Sequence, residues 1–169
     1  MTVSRIAMRL ALTPQPADSV LPVRPLRADD VPALGELMYA AYLNTVDYEP
    51  GSTAADAAFE VQRTLDGAYG RFLEAASFVA EADGRPVAAV LTTDWPPFER
   101  PLIAFMLTHP DYQRRGLARS LMNRVMNALL ELGYPEVSLV VTVANTPALT
   151  LYQKMGFGQF HPPRSQPQD

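Results

Sequence analysis

Residues 102–143 constrain the fold more than any other stretch of this 169-residue chain. The apolar run 102–108 reads as a strand that Pro110 stops. Leu117, Leu121, Met122, Val125, Leu129 and Leu132 then recur at the spacing of one helix face, and Gly133 and Pro135 end that helix. Residues 137–143 are nearly all apolar, the pattern of a strand buried on both faces. A strand, a turn, an amphipathic helix and a buried strand in succession demand a sheet with helices packed on it, an α/β (α+β) architecture.

The rest of the chain fits around this unit. Residues 23–26 form a strand candidate. Ala28-Asp29-Asp30, with Pro32 in the first turn, opens a helix whose apolar positions are Val31, Leu34, Leu37, Met38 and Ala41. Residues 42–53 are turn-rich and lead to a second helix over 54–66. Strands over 77–82 and 86–93 flank Asp83-Gly84, a type I′ hairpin turn, and Trp95-Pro96-Pro97 ends the second arm. Thr146 as N-cap and Pro147 at the first helical position open a short helix that Gly156 closes. The element order over 23–161 is β-α-α-β-β-β-α-β-α. Before it, Ile6, Met8, Leu10 and Leu12 alternate with Ala7, Arg9 and Ala11, a strand able to fill a sheet edge, and residues 13–22 read as a proline-rich linker. The expected organisation is an extension over 1–22, one domain over 23–161 and a disordered tail over 162–169.

Between strand 102–108 and its helix lies His109-Pro-Asp-Tyr-Gln-Arg-Arg-Gly-Leu-Ala118. A helix start after such a turn leaves backbone N–H groups unpaired, and the helix dipole adds about half a positive charge there. Gly116 allows close approach of a ligand, Ala118 leaves room, and Arg114 and Arg115 add charge, so the segment suits an anion. No G-x-x-x-x-G-K-[ST], no dinucleotide glycine fingerprint and no G-x-S-x-G elbow occurs. With no cysteine and only His109 and His161 as imidazoles, thiolate chemistry is excluded and a metal centre is not expected. No apolar run is long enough to span a bilayer, so a soluble, cytoplasmic protein without membrane partners is the expectation.

At this point the sequence resembles the GNAT superfamily of acyl-CoA-dependent N-acetyltransferases. Gln113-Arg114-Arg115-Gly116-Leu117-Ala118 matches the family's [Q/R]-x-x-G-x-[G/A] pyrophosphate motif at every defined position. About 27 residues on, Asn145 through Phe157 looks like the family's N-x(6)-Y-x(3)-G-F segment. The resemblance implies a central mixed, mostly antiparallel sheet with splayed central strands, flanked by helices, and acetyl-CoA as co-substrate. It implies that Met106, Leu107 and Thr108 pair with the pantetheine arm, that the backbone N–H of Leu107 or a neighbour polarises the thioester carbonyl, and that Gln113 to Ala118 hold the pyrophosphate. By the same resemblance Asn145 binds CoA and Tyr152 protonates the departing thiolate.

Some relatives that acetylate protein N-termini place a glutamate five residues before the asparagine, where this chain has Val140. Substitutes for that base are Glu99 or Asp94, or Asp47, Tyr48 and Glu49 in the acidic loop, the loop residues being read first as substrate contacts. His109, beside the phosphate turn, is not expected to act as a base. Residues 29–83 carry eleven acidic side chains against Arg63 and Arg71, a local charge of −9, whereas 85–124 carry a local +3. A cationic amine is therefore the favoured acceptor and nucleic acid is disfavoured. A homodimer is left open. The competing reading is a non-catalytic acyl-CoA-binding sensor or interaction module with the same fold.

Overall fold

The computed structural model describes residues 3–163. In chain order the elements are β1 (Arg5–Ala11), β2 (Val23–Pro25), α1 (Val31–Tyr42), α2 (Ala54–Leu65), β3 (Arg71–Phe72), β4 (Phe78–Ala82), β5 (Arg85–Trp95), β6 (Arg100–Thr108), α3 (Leu117–Glu131), β7 (Glu136–Thr142), α4 (Thr146–Met155) and β8 (Gly158–Phe160). They build one sheet in the order β2-β4-β5-β6-β7-β1-β8, with β3 also on β5. Every pairing is antiparallel except that of β6 with β7. Among the described residues no helix is long and apolar enough to cross a membrane.

The amino-terminal alternation does produce a strand, but not at the margin. All seven residues of β1 pair with β7, from Arg5↔Thr142 to Ala11↔Glu136, and β8 pairs with the other side of β1. Three residues suffice for β8 because it needs to satisfy only the short stretch Ala7–Arg9. The 13–22 segment then crosses α3. The Gln15 N–H donates to Asn127 Oδ1 at 2.8 Å, Asn127 Nδ2 returns a bond to the Gln15 carbonyl at 2.9 Å, and Ser120 Oγ donates to the Asp18 carbonyl. Of the expected tail, Pro162 and Pro163 line a cleft described below, and 164–169 lie outside the described residues.

Successive side chains of the central strands divide between two cores. Ala88 and Val90 face the side covered by Leu117, Leu121, Met122, Val125, Met126 and Leu129 of α3, while Ala89 and Leu91 face Leu34, Leu37 and Met38 of α1 and Val61 of α2. Leu132 lies past the apolar stripe as the C-cap of α3 and is 49% exposed, because the chain has already turned toward Gly133. Asp83 and Gly84 have φ of 52° and 74°, as a type I′ turn requires. The cap of α4 is Asn145 rather than Thr146: the Asn145 side chain accepts the Ala148 N–H, which makes Thr146 the first helical residue.

The parallel pair is the irregular part of the sheet. β6 and β7 pair only at Leu102↔Ser138 and Ile103↔Leu139 and then part. Just beyond, the β5–β6 register passes from Leu91↔Phe105 to Thr92↔Ile103, so Ala104 bulges and bends β6 away from β7. Leu121 is fully buried in the α3 core that backs this bend. Leu121→Ala is expected to cost about 2–5 kcal/mol, read as a lower urea midpoint at unchanged slope.

Candidate active site

The gap between the parted strands determines which backbone groups are free. His109 donates its N–H to the Val87 carbonyl at 2.8 Å, and Leu107 faces Ala89 in the same ladder. Antiparallel hydrogen bonding repeats every two residues. The Leu107 N–H therefore turns toward β5, and those of Met106 and Thr108 turn into the gap, where no strand lies opposite. The Leu107 side chain is fully buried under α1. Ladder phase thus withdraws the Leu107 amide from ligand contact and leaves its two neighbours.

β6 runs on into the turn that starts α3. Arg114 and Gly116 both take left-handed φ, 62° and 78°. The first helical bond runs from the Ser120 N–H to the Gly116 carbonyl, and no side chain caps the helix, so the amides of Leu117, Ala118 and Arg119 have no acceptor within it. A Cβ on Gly116 would meet nothing within 4 Å, so the space above the turn is open. Arg114 and Arg115 are exposed, and Arg115 stacks on Tyr112 at 4.9 Å. Open space, unpaired amides and two guanidinium groups fit a pyrophosphate. His109 shapes the entry to the turn: its Nδ1 accepts the Asp111 N–H at 3.1 Å, and its ring packs on Tyr112.

The gap opens into a cleft of about 1170 Å³, bounded by the parted strands, the 43–53 loop, α2 and α4. Met106, Asp47, Tyr48, Glu49, Asn145 and Tyr152 line it, whereas Leu107, Thr108, residues 113–118, Asp94 and Glu99 do not. Tyr152 is 8% exposed, its ring stands edge-on to Phe157 at 5.7 Å, and burial pushes its phenol up to about 12. Asp47 and Asn145 bind each other. Asp47 Oδ1 accepts from Thr142 Oγ1 at 2.7 Å and Oδ2 from Asn145 Nδ2 at 3.2 Å, which fastens the loop to the end of β7 and the start of α4. Asp94 is drawn off the cleft by Arg71, its partner across β3–β5, at 3.6 Å. Val140, 44% exposed, turns an apolar side chain into the cleft.

Two further residues belong to the site without having been singled out in the sequence. Glu60 of α2 and Tyr69 line the cleft, and the Tyr69 hydroxyl donates to the Glu60 carboxylate. The Tyr69 ring stands edge-on to Phe105 at 6.0 Å and to Trp95 at 6.4 Å. Burial, followed by the bond to Glu60, pushes the Tyr69 phenol up to about 12. Burial also raises Tyr42, with the charge of Asp47 adding to it. The available signal was the pair of glycines around Tyr69. Gly70 has φ of 93° and lies so close to β5 that a Cβ would sit 1.9 Å from the Asp94 carbonyl oxygen.

Comparison with known proteins gives this site its family. The profile of the Acetyltransferase (GNAT) family matches residues 41–157. The chain belongs to the GNAT family. Among curated GNAT relatives, the N-alpha-acetyltransferase MAK3 of Arabidopsis thaliana is 40% identical over 58 residues, covering 34% of this chain and 30% of that protein. The [ribosomal protein bS18]-alanine N-acetyltransferase of Escherichia coli K12 is 38% identical over 50 residues, 30% of this chain and 34% of that one. The matches thus span about a third of these relatives. A GCN5-related N-acetyltransferase from Sphaerobacter thermophilus shares the fold at a TM-score of 0.71 and 21% identity, over 93% of this chain and 48% of its own.

The buried phenols fix the alkaline behaviour of this GNAT protein. An unfolded tyrosine ionises near pH 10, whereas Tyr69 and Tyr152 hold their protons to about 12. The folded state then binds more protons between these limits, so stability falls as pH rises through that window. Absorbance at 295 nm should show these phenolates appearing late, alongside a falling melting temperature above pH 10.

Proposed function

We propose that the protein transfers an acetyl group from acetyl-CoA to a primary, cationic amine by direct attack. The observation that carries this reading is the pair of amides, Met106 and Thr108, facing the gap between β6 and β7 with Tyr152 lining the same cleft. Thr108 and the strand end pair with the pantetheine arm as an added strand would. The 113–118 turn holds the pyrophosphate. Met106, not Leu107, donates its N–H to the thioester oxygen as negative charge develops there. Tyr152, kept neutral by burial, gives its proton to the leaving sulfur. Asn145 serves through the cap of α4 and its bond to Asp47, which hold the helix that carries Tyr152.

The acceptor side combines carboxylates with aromatic rings. Glu49, Asp56 and Glu60 line the cleft with Tyr39, Tyr48, Tyr69 and Trp95, a lining that suits a cation on both electrostatic and cation–π grounds. The names of the two curated relatives refer to α-amine acetylation, so a free N-terminus joins lysine-like and polyamine-like groups among the candidates.

Thiol release from acetyl-CoA in the presence of an amine panel tests the reading, with no release across the panel counting against it. Tyr152→Phe should lower kcat about 100-fold or more while acetyl-CoA binding stays near wild type. The acceptor KM should rise more steeply with salt than the acetyl-CoA KM, and equal slopes would argue against a cationic acceptor.

A further inference from the structure

We propose that Tyr69 and Glu60 form the proton relay that deprotonates the acceptor amine, an inference that rests on the acyl-transfer reading above. The cleft needs such a group because an ammonium has no lone pair with which to attack. The β7 residues that line the cleft, Leu139, Val140, Val141 and Thr142, include no carboxylate or imidazole. The four carboxylates that line the cleft are not equivalent. Asp47 is tied through both oxygens to Thr142 and Asn145. Asp56 accepts the N–H and hydroxyl of Thr53, the N-cap of α2, at 2.9 and 3.0 Å. Glu49 is exposed on the loop. Glu60 is half-buried, with Arg63 on Oε2 at 3.2 Å, and differs from the other three in that the hydroxyl on its Oε1 is a phenol, that of Tyr69.

Tyr69 joins this carboxylate to β6. Its ring packs against Phe105, whose next residue, Met106, presents its amide to the gap. The abutment of Gly70 on the Asp94 carbonyl fixes where Tyr69 stands. The other ionisable groups around the pair are Arg63 and Asp56 on α2 and Tyr42 from α1.

The proton count closes without a co-reactant. One N–H bond of the ammonium breaks and its proton joins the Tyr69 oxygen as the Tyr69 proton moves to Glu60 Oε1. The phenol ends neutral and Glu60 ends as the carboxylic acid. The freed nitrogen pair forms the C–N bond, the C–S bond breaks and Tyr152 protonates the sulfur; its oxygen then takes the second N–H proton as the amide forms, and Glu60 returns its proton to solvent. The Tyr69 oxygen gains one proton as it gives up another, so no net charge is placed on the phenol.

The test uses the full chain, acetyl-CoA, and two acceptor probes: a peptide with a free N-terminus and an N-acetylated peptide bearing one lysine. CoA release is followed from pH 6 to 10.5 for wild type, Glu60→Gln and Tyr69→Phe. With whichever probe is turned over, kcat/KM at pH 6.5 should fall about 10- to 100-fold in both variants. The deficit should then close to within about threefold as pH reaches the acceptor's own pKa, near 8 for the α-amine and about 10.4 for lysine, because the amine there arrives neutral. An unchanged acetyl-CoA-induced rise in melting temperature verifies the fold. A deficit equal at every pH would mean a structural role, a deficit carried by acceptor KM at unchanged kcat would mean a binding role, and either would overturn the relay, as would no deficit. If wild type acetylates neither these probes nor any amine of the panel, the acyl-transfer reading fails and the relay with it. Active wild type with unaffected variants removes the relay alone.

Discussion

β6 and β7 run side by side for two residue pairs, and the rest of the site depends on their parting there. A parallel pair that continued would bury the amides of Met106 and Thr108 in ladder bonds, with nothing left for a ligand to pair with. The Ala104 bulge starts the divergence on one strand, and on the other the end of β7 is held by Thr142 through Asp47. The opened sheet keeps its integrity because each parted strand has a full partner on its outer side: β5 for β6, and β1 for β7. The amino-terminal strand is thus part of what allows the gap to exist.

The charge division along the sequence is reorganised by folding. Part of the acidic half is engaged locally: Asp30 and Glu81 share Arg24, with Arg24 Nε 2.7 Å from Glu81, and the Asp56 carboxylate accepts from Thr53, the N-cap of α2. Asp47 fastens the loop and keeps its charge, since both its partners are neutral. The field in the cleft comes from Asp47, Glu49, Asp56 and Glu60 against Arg5, rather than from the local −9 as a whole, and aromatic rings around them lower the dielectric.

Features encoded by short-range pattern were legible in the sequence: the α3 stripe, the Asp83-Gly84 hairpin, the proline-opened α4 and the Gln113–Ala118 turn. What escaped was set by phase or by distance along the chain. Whether Leu107 or its neighbours offer a free amide depends on ladder alternation with β5, which the composition of β6 does not encode. Asn145 could not be distinguished as helix cap from ligand contact without its partners Ala148 and Asp47. The bond from Tyr69 to Glu60 joins a loop to a helix, and neither residue sits in a recognisable motif. The two- and three-residue strands β3 and β8 are too short to show a period.

The position of β1 also governs how the chain reaches its fold. Ala11 and Glu136 are partners 125 residues apart, so β1 cannot pair with β7 until the intervening chain has been made. At about 5–20 residues per second that wait is on the order of 6–25 s. During it Ile6, Met8 and Leu10 have no native strand partner, because both neighbours of β1 are made after that interval. Arg5 and Arg9, spaced along the same strand, place charge beside those apolar residues through the interval, which discourages pairing with other chains before β7 arrives.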